Sequence, residues 1–184
     1  MNRIEKLFSE KKENILSIYF TAGFPKVDAT LTVLQSLQDS GVDLVEIGMP
    51  YSDPVADGET IQASNQQALE QLMSVEKLLG QLSSIRENGI TLPIILMGYL
   101  NPVYQYGVER FCAACEKIGI DGLILPDLPL DEFKGEYAEI FARHGLLNIF
   151  LITPQTSDER IREIDSHSKG FIYMVSSASV TGAT

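Results

Sequence analysis

The chain has 184 residues, enough for one domain with a sizeable core. Its 45% apolar and 21% charged residues are ordinary globular values, and a net charge of -11 with no basic block argues against a nucleic-acid binder. No apolar run is long enough to span a membrane, and the charged, amphipathic start MNRIEKLFSEKKEN is unlike a signal peptide, so a cytoplasmic location is expected.

Short β-like runs alternate with longer helical ones. Asn14 to Phe20 is predicted as a first strand, ending at the turn Thr21-Ala22-Gly23-Phe24-Pro25. Val27, Leu31, Leu34 and Gln38 follow at helical spacing, and Gly41 closes that helix. Leu44 to Gly48 is a second strand, followed by a loop and a helix from about Thr60. Ser74 is a plausible N-cap for a helix whose apolar face is Val75, Leu78, Leu79, Leu82 and Ile85. Leu92 to Gly98 is a third strand, Val108 to Ile118 a helix stopped by Gly119, and Gly122 to Pro126 a fourth strand. Phe133, Tyr137, Ile140 and Phe141 mark another helix ending at His144-Gly145. Leu146 to Ile152 is a fifth strand, Thr156-x-x-Glu159 a capping box for the next helix, and Phe171 to Val175 a sixth strand.

The strands are continuous apolar runs rather than alternating ones, which marks parallel strands covered by helices on both sides. Six such units in one domain, residues 1–184, predict an α/β fold, either an open doubly wound sheet or a (β/α)8 barrel. The first strand is not followed by G-x-G-x-x-G, which weakens the dinucleotide-binding alternative.

In either architecture, function gathers where strands end. The polar residues there include Thr21, Glu46, Asp53, Asp57, Tyr99, Asn101, Asp127, Gln155, Thr156, Tyr173, Thr181 and Gly182. Glu46 is the most informative, because Val45 and Ile47 must face the opposite side of the sheet. In a barrel, that parity puts Glu46 inside. A buried carboxylate with no Lys or Arg at any strand end has a raised pKa, as suits a general acid or base. Asp53 and Asp57 are, on spacing alone, as well explained as turn formers. Cys112 and Cys115 form a C-x-x-C inside a helix with no second pair, and are expected to be buried core thiols. His144 and His167 are expected at the surface. No metal site and no nucleophile–base set can be assembled, which leaves carboxylate proton transfer.

The segment Glu46-Ile47-Gly48-Met49-Pro50-Tyr51-Ser52-Asp53-Pro54-Val55-Ala56-Asp57-Gly58, with Thr60-Ile61-Gln62, closely resembles the signature of the tryptophan synthase α-subunit family. So do Thr21 to Pro25, Met97 to Pro102, Asp121 to Pro129 and Val180-Thr181-Gly182, in order along the whole chain. The resemblance implies a (β/α)8 barrel that reversibly cleaves indole-3-glycerol phosphate to indole and glyceraldehyde 3-phosphate. It implies Glu46 as general acid/base and Asp57 as the carboxylate that holds the indole N–H. Tyr173 would line the substrate site near Glu46, and Thr181, with Gly182, would belong to a loop that meets Asp57. Tyr19, Met97, Tyr99 and Leu125 would contact the substrate, the indole pocket being formed by Tyr19, Met97 and Leu125. Pro50, Asp53, Asn101 and Pro129 would face a β subunit in an α2β2 complex. Pyridoxal phosphate is expected on that partner only, and no cofactor on this chain.

There are departures from the family pattern. Tyr19 stands where many members have Phe, and Ser177 and Ser179 stand where Arg and Gly are common. The chain supplies six strands where the family has eight, so strands seven and eight and their phosphate-binding loops are expected to be absent. Little turnover is therefore expected from these residues alone. Two alternatives remain open: another phosphate-sugar barrel such as an isomerase, and an inactive fragment or scaffold that only binds a partner.

Overall fold

The computed structural model describes residues 1–55 and 57–175. Helix α1 (Arg3–Glu10) starts with a capping box, in which the Asn2 side chain accepts from the Ile4 N–H and the Glu5 side chain accepts from the Asn2 N–H. There follow β1 (Ser17–Thr21), α2 (Ala29–Asp39), β2 (Leu44–Gly48), α3 (Glu59–Glu70), α4 (Val75–Leu82) and β3 (Ile94–Met97). Next come α5 (Leu100–Tyr106), α6 (Val108–Ile118), β4 (Gly122–Ile124) and a short α7 (Leu130–Glu132). A π-helical turn (Phe133–Tyr137) leads into α8 (Ala138–Arg143), and β5 (Leu147–Asn148), β6 (Leu151–Ile152), α9 (Asp158–His167) and β7 (Tyr173–Met174) complete the described elements.

Strands β1 to β5 form a parallel sheet in sequence order, and β6 pairs with β7, again parallel. β5 and β6 are two parts of the predicted fifth strand. The Ile149 N–H donates to Leu123 O on the β4 side, while Phe150 O accepts from the Tyr173 N–H on the other. The strand thus changes partner half-way, which divides it. Six strand positions follow one another without the order reversal of a doubly wound sheet, so the wall is of the (β/α)8 barrel type.

Strand parity sorts the apolar residues into two clusters. Val45, Ile47, Ile94, Leu96, Leu123 and Leu125 face outward and pack against Leu78, Leu82, Phe111 and Phe141 of the helices. Leu44, Ile95, Ile124, Leu147 and Ile149 face inward. Ile4 of α1 joins that inner cluster, with Leu7 and Phe8, and Phe8 stacks on Phe171 at 5.0 Å between ring centres. Helix α1 therefore plugs the end where the strands begin. It is tied there through Asp121, only 2% exposed, which accepts from Arg3 Nη1 at 3.0 Å, Arg86 Nη2 at 2.9 Å and the Ile94 N–H at 2.9 Å.

Several sequence expectations are corrected. The first strand starts at Ser17, not Asn14, which has φ of 56° and turns the chain. Helix α5 was not anticipated; Pro102 falls in its first turn, where a missing N–H costs nothing, and Gly107 at φ 93° separates it from α6. The N-cap of α9 is Ser157, whose hydroxyl accepts from the Arg160 N–H, while Thr156 Oγ1 accepts from the Thr153 N–H. His144 is no free surface residue: its side chain is 13% exposed and bonds Glu109 and Glu116 of α6. Cys112 and Cys115 are fully buried, as expected, and burial pushes the Cys112 thiol up to about 12 and Cys115 higher still.

Candidate active site

Glu46 is the third residue of β2 and shares its inward face with Leu44 and Gly48. It is 4% exposed. Its neighbours in register are Tyr19 on β1 and Ile95 on β3. No cation reaches it among the described residues; its side-chain hydrogen bond is with Ser17, whose hydroxyl donates to Oε1 at 2.6 Å. Burial raises the Glu46 pKa, and the Ser17 hydroxyl pulls it part of the way back.

Above Glu46, where the strands end, lies a cavity of about 460 Å³. Tyr19, Met97, Tyr99, Leu151 and Tyr173 give it an aromatic and apolar wall, and Asp57 and Asn65 supply polar groups. Gly58 caps α3 and follows Asp57 directly, so the start of that helix fixes the aspartate at the cavity rim. Tyr99 hydrogen-bonds the Asp57 carboxylate, and Asn65 Nδ2 reaches Oδ2 at 3.5 Å. Burial still leaves the Asp57 pKa raised. Asn65 is itself 4% exposed, and its Oδ1 has no hydrogen-bond partner among the described residues.

Tyr19 is oriented by a chain of hydroxyls. Ser64 Oγ donates to Ile61 O at 2.8 Å, so its 2.7 Å bond to Thr21 must use the Thr21 proton. Thr21 Oγ1 is then left to accept from the Tyr19 hydroxyl at 3.4 Å. The Tyr19 hydroxyl also lies where a Cβ on residue 48 would be, so only Gly48 leaves room for this ring beside Glu46.

Tyr19, Met97, Tyr99 and Tyr173 line the cavity, and burial, with the nearby Glu46 second, raises the Tyr173 pKa. Leu125 does not: it is 3% exposed in the outward cluster, and parity puts Ile124 inside instead. Thr181 and Gly182 lie outside the described residues. Pro50, Asp53 and Pro129 sit on loops at the cavity end of the strands, whereas Asn101 lies in the first turn of α5; Asp53, Asn101 and Pro129 are exposed. Asn101 Nδ2 donates to the Tyr51 hydroxyl at 3.1 Å, joining the loop after β2 to α5, and Asp127 ties the loop after β4 to the same helix by accepting from the Leu100 N–H. Ser17 and Asn65 were not singled out from the sequence. Ser17 could have been found, since it shares the inward parity of Tyr19; Asn65 lies within a polar helix run that gives no such signal.

A family model described as tryptophan synthase alpha chain matches residues 5–184. The chain belongs to the tryptophan synthase alpha chain family. It is 61% identical over 183 residues to the tryptophan synthase alpha chain of Flavobacterium johnsoniae, which covers all of this chain and 72% of that protein. The crystal structure of tryptophan synthase subunit alpha from Legionella pneumophila superimposes with a TM-score of 0.90 at 38% identity, over 98% of this chain and 70% of that one. The tryptophan synthase complex of Pyrococcus furiosus matches with a TM-score of 0.81 at 38% identity, over 88% of this chain and 66% of that one. These matches agree with the barrel reading and exclude the sugar-phosphate isomerase alternative.

Proposed function

We propose that this chain carries the acid–base site for the reaction of its family, the reversible retro-aldol cleavage of indole-3-glycerol phosphate to indole and glyceraldehyde 3-phosphate. It is a carbon–carbon lyase of tryptophan biosynthesis and works with the tryptophan synthase β subunit. The observation that carries the assignment of roles is a cavity lined by three tyrosines, with one carboxylate at its rim and one beneath it, neither ion-paired among the described residues.

The chemistry follows from that placement. Glu46, as the acid, protonates the indole ring carbon that bears the glycerol chain. Positive charge develops on the ring nitrogen, and Asp57 accepts the N–H there. Glu46, now the base, takes the proton of the chain hydroxyl as the carbon–carbon bond breaks. The bonding electrons return to the ring, and the hydroxyl carbon becomes the aldehyde. The net result is transfer of one proton from oxygen to carbon through one carboxyl group. A raised pKa suits a group that must both give and take that proton. A dry site strengthens the Asp57 contribution, because charge stabilisation is worth more away from water.

The reading invokes no cofactor on this chain; pyridoxal phosphate belongs to the β subunit. Pro50, Asp53, Asn101 and Pro129 are assigned to the face that meets that subunit. A cytoplasmic location is part of the proposal, and among the described residues no helix is long and apolar enough to cross a membrane. Substituting Glu46→Gln in the α subunit assayed with its β subunit is expected to abolish cleavage and spare partner binding. Unchanged turnover would refute the assignment.

A further inference from the structure

Glu46 does not line the cavity. Ser17 explains why. In the β1–β2 register Tyr19 lies beside Glu46, whereas Ser17 lies beside Leu44, two residues nearer the plugged end. Two residues along a strand are about 6.6 Å. A bond from Ser17 Oγ to Glu46 Oε1 at 2.6 Å therefore draws the carboxylate down the barrel, away from the space where a substrate would sit. The other neighbour in register, Ile95, offers Glu46 no side-chain hydrogen bond.

We propose that Ser17 is a positioning residue for the reaction: its hydroxyl holds the Glu46 carboxylate beneath the cavity in the ligand-free protein, and this bond is exchanged for substrate contact when Glu46 turns upward. The proposal rests on the role given to Glu46 above. Two consequences follow. The Ser17 hydroxyl donates to the carboxylate and so favours its ionised form. It also keeps an otherwise cation-free buried carboxylate hydrogen-bonded while the site is empty. The titratable groups that face Glu46 from the packed elements are Tyr19 on β1 and Tyr173 on β7, and neither carries a positive charge that could replace Ser17.

The test is the pH profile of kcat/KM for indole-3-glycerol phosphate cleavage, which reports ionisations of the free enzyme. It is measured with the α subunit assembled with its β subunit. Ser17→Ala removes the donor, and the limb governed by Glu46 is expected to move to higher pH. Ser17→Thr keeps a hydroxyl in a strand-favouring residue and is expected to restore the original limb. Thermal melts of both variants separate this effect from general loss of structure, since Ser17 is only partly buried and both variants are expected to stay folded. A limb that stays in place in Ser17→Ala, or moves equally in Ser17→Thr, overturns the proposal. Glu46→Gln run in parallel distinguishes the two possible failures. If it retains cleavage, the role of Glu46 falls and Ser17 with it. If it abolishes cleavage while the Ser17→Ala profile stays put, only the Ser17 assignment falls.

Discussion

Among the described residues the barrel buries two carboxylates, Asp121 and Glu46, and treats them in opposite ways. Asp121, at the end where the strands begin, has two arginines and a backbone N–H for partners. Glu46, half-way up β2, has one serine hydroxyl. Both are nearly sealed from water, at 2% and 4% exposure. The difference teaches how one fold separates stability from chemistry. A carboxylate bonded by two arginines and a backbone N–H holds helix α1 and the base of β3 and β4 together. A carboxylate left with a single neutral donor is free to change protonation, at a cost in stability.

The contrast is broken most severely at its saturated end. Asp121→Asn should destabilise the fold by about 2–4 kcal/mol, because it leaves the half-buried Arg86 guanidinium without its counter-charge. A chemical denaturation midpoint near that of the parent chain would contradict the structural role. Next in size is Asp57→Asn, which should slow cleavage by about 100–1,000-fold while barely changing the melting temperature, since it removes charge stabilisation and little packing.

Asn65→Leu sharpens the comparison further. It removes an amide whose Oδ1 is buried without a partner, so the melting temperature should hold or rise; the same change deletes a contact to Asp57, and kcat/KM should fall by roughly tenfold. Falling stability with unchanged activity would reverse that assignment. The smallest expected effect concerns pH. His144 uses both ring nitrogens, towards Glu116 at 2.7 Å and Glu109 at 3.0 Å, which requires the imidazolium, and these bonds raise its pKa in the folded chain. Its contribution to stability is therefore complete below its unfolded pKa and is lost as pH rises through the raised folded value. Melting temperature should decline across that window, and His144→Ala should flatten the decline.

What the sequence made legible was local. The limits of β2 and of α6, with Gly119 left-handed at its end, were readable because strand parity, helical spacing and a terminal glycine are encoded in adjacent residues. The inward position of Glu46 came from the same parity. The site roles of Asp57 and Tyr173 came from the family signature, since their spacing alone fitted a turn and a strand. What was not legible was set by distant partners. The fifth strand divides because it trades β4 for β7 at Ile149–Phe150, which no local pattern records. Leu125 was assigned to the pocket although Ile124, two residues on from Gly122, has the inward parity. The inward parity of Ser17 was readable, but its bond to Glu46 followed only from the register that set it one layer below.

Glu46 is kept short of partners because it carries the proton. One paired measurement tests it most directly: cleavage rate and melting temperature of Glu46→Gln, in the α subunit assembled with its β subunit. Cleavage lost by about 100-fold or more, with a melting temperature equal to or above that of the parent, is the predicted result. A variant that melts well below the parent yet still cleaves would show that Glu46, like Asp121, is there to hold the barrel together.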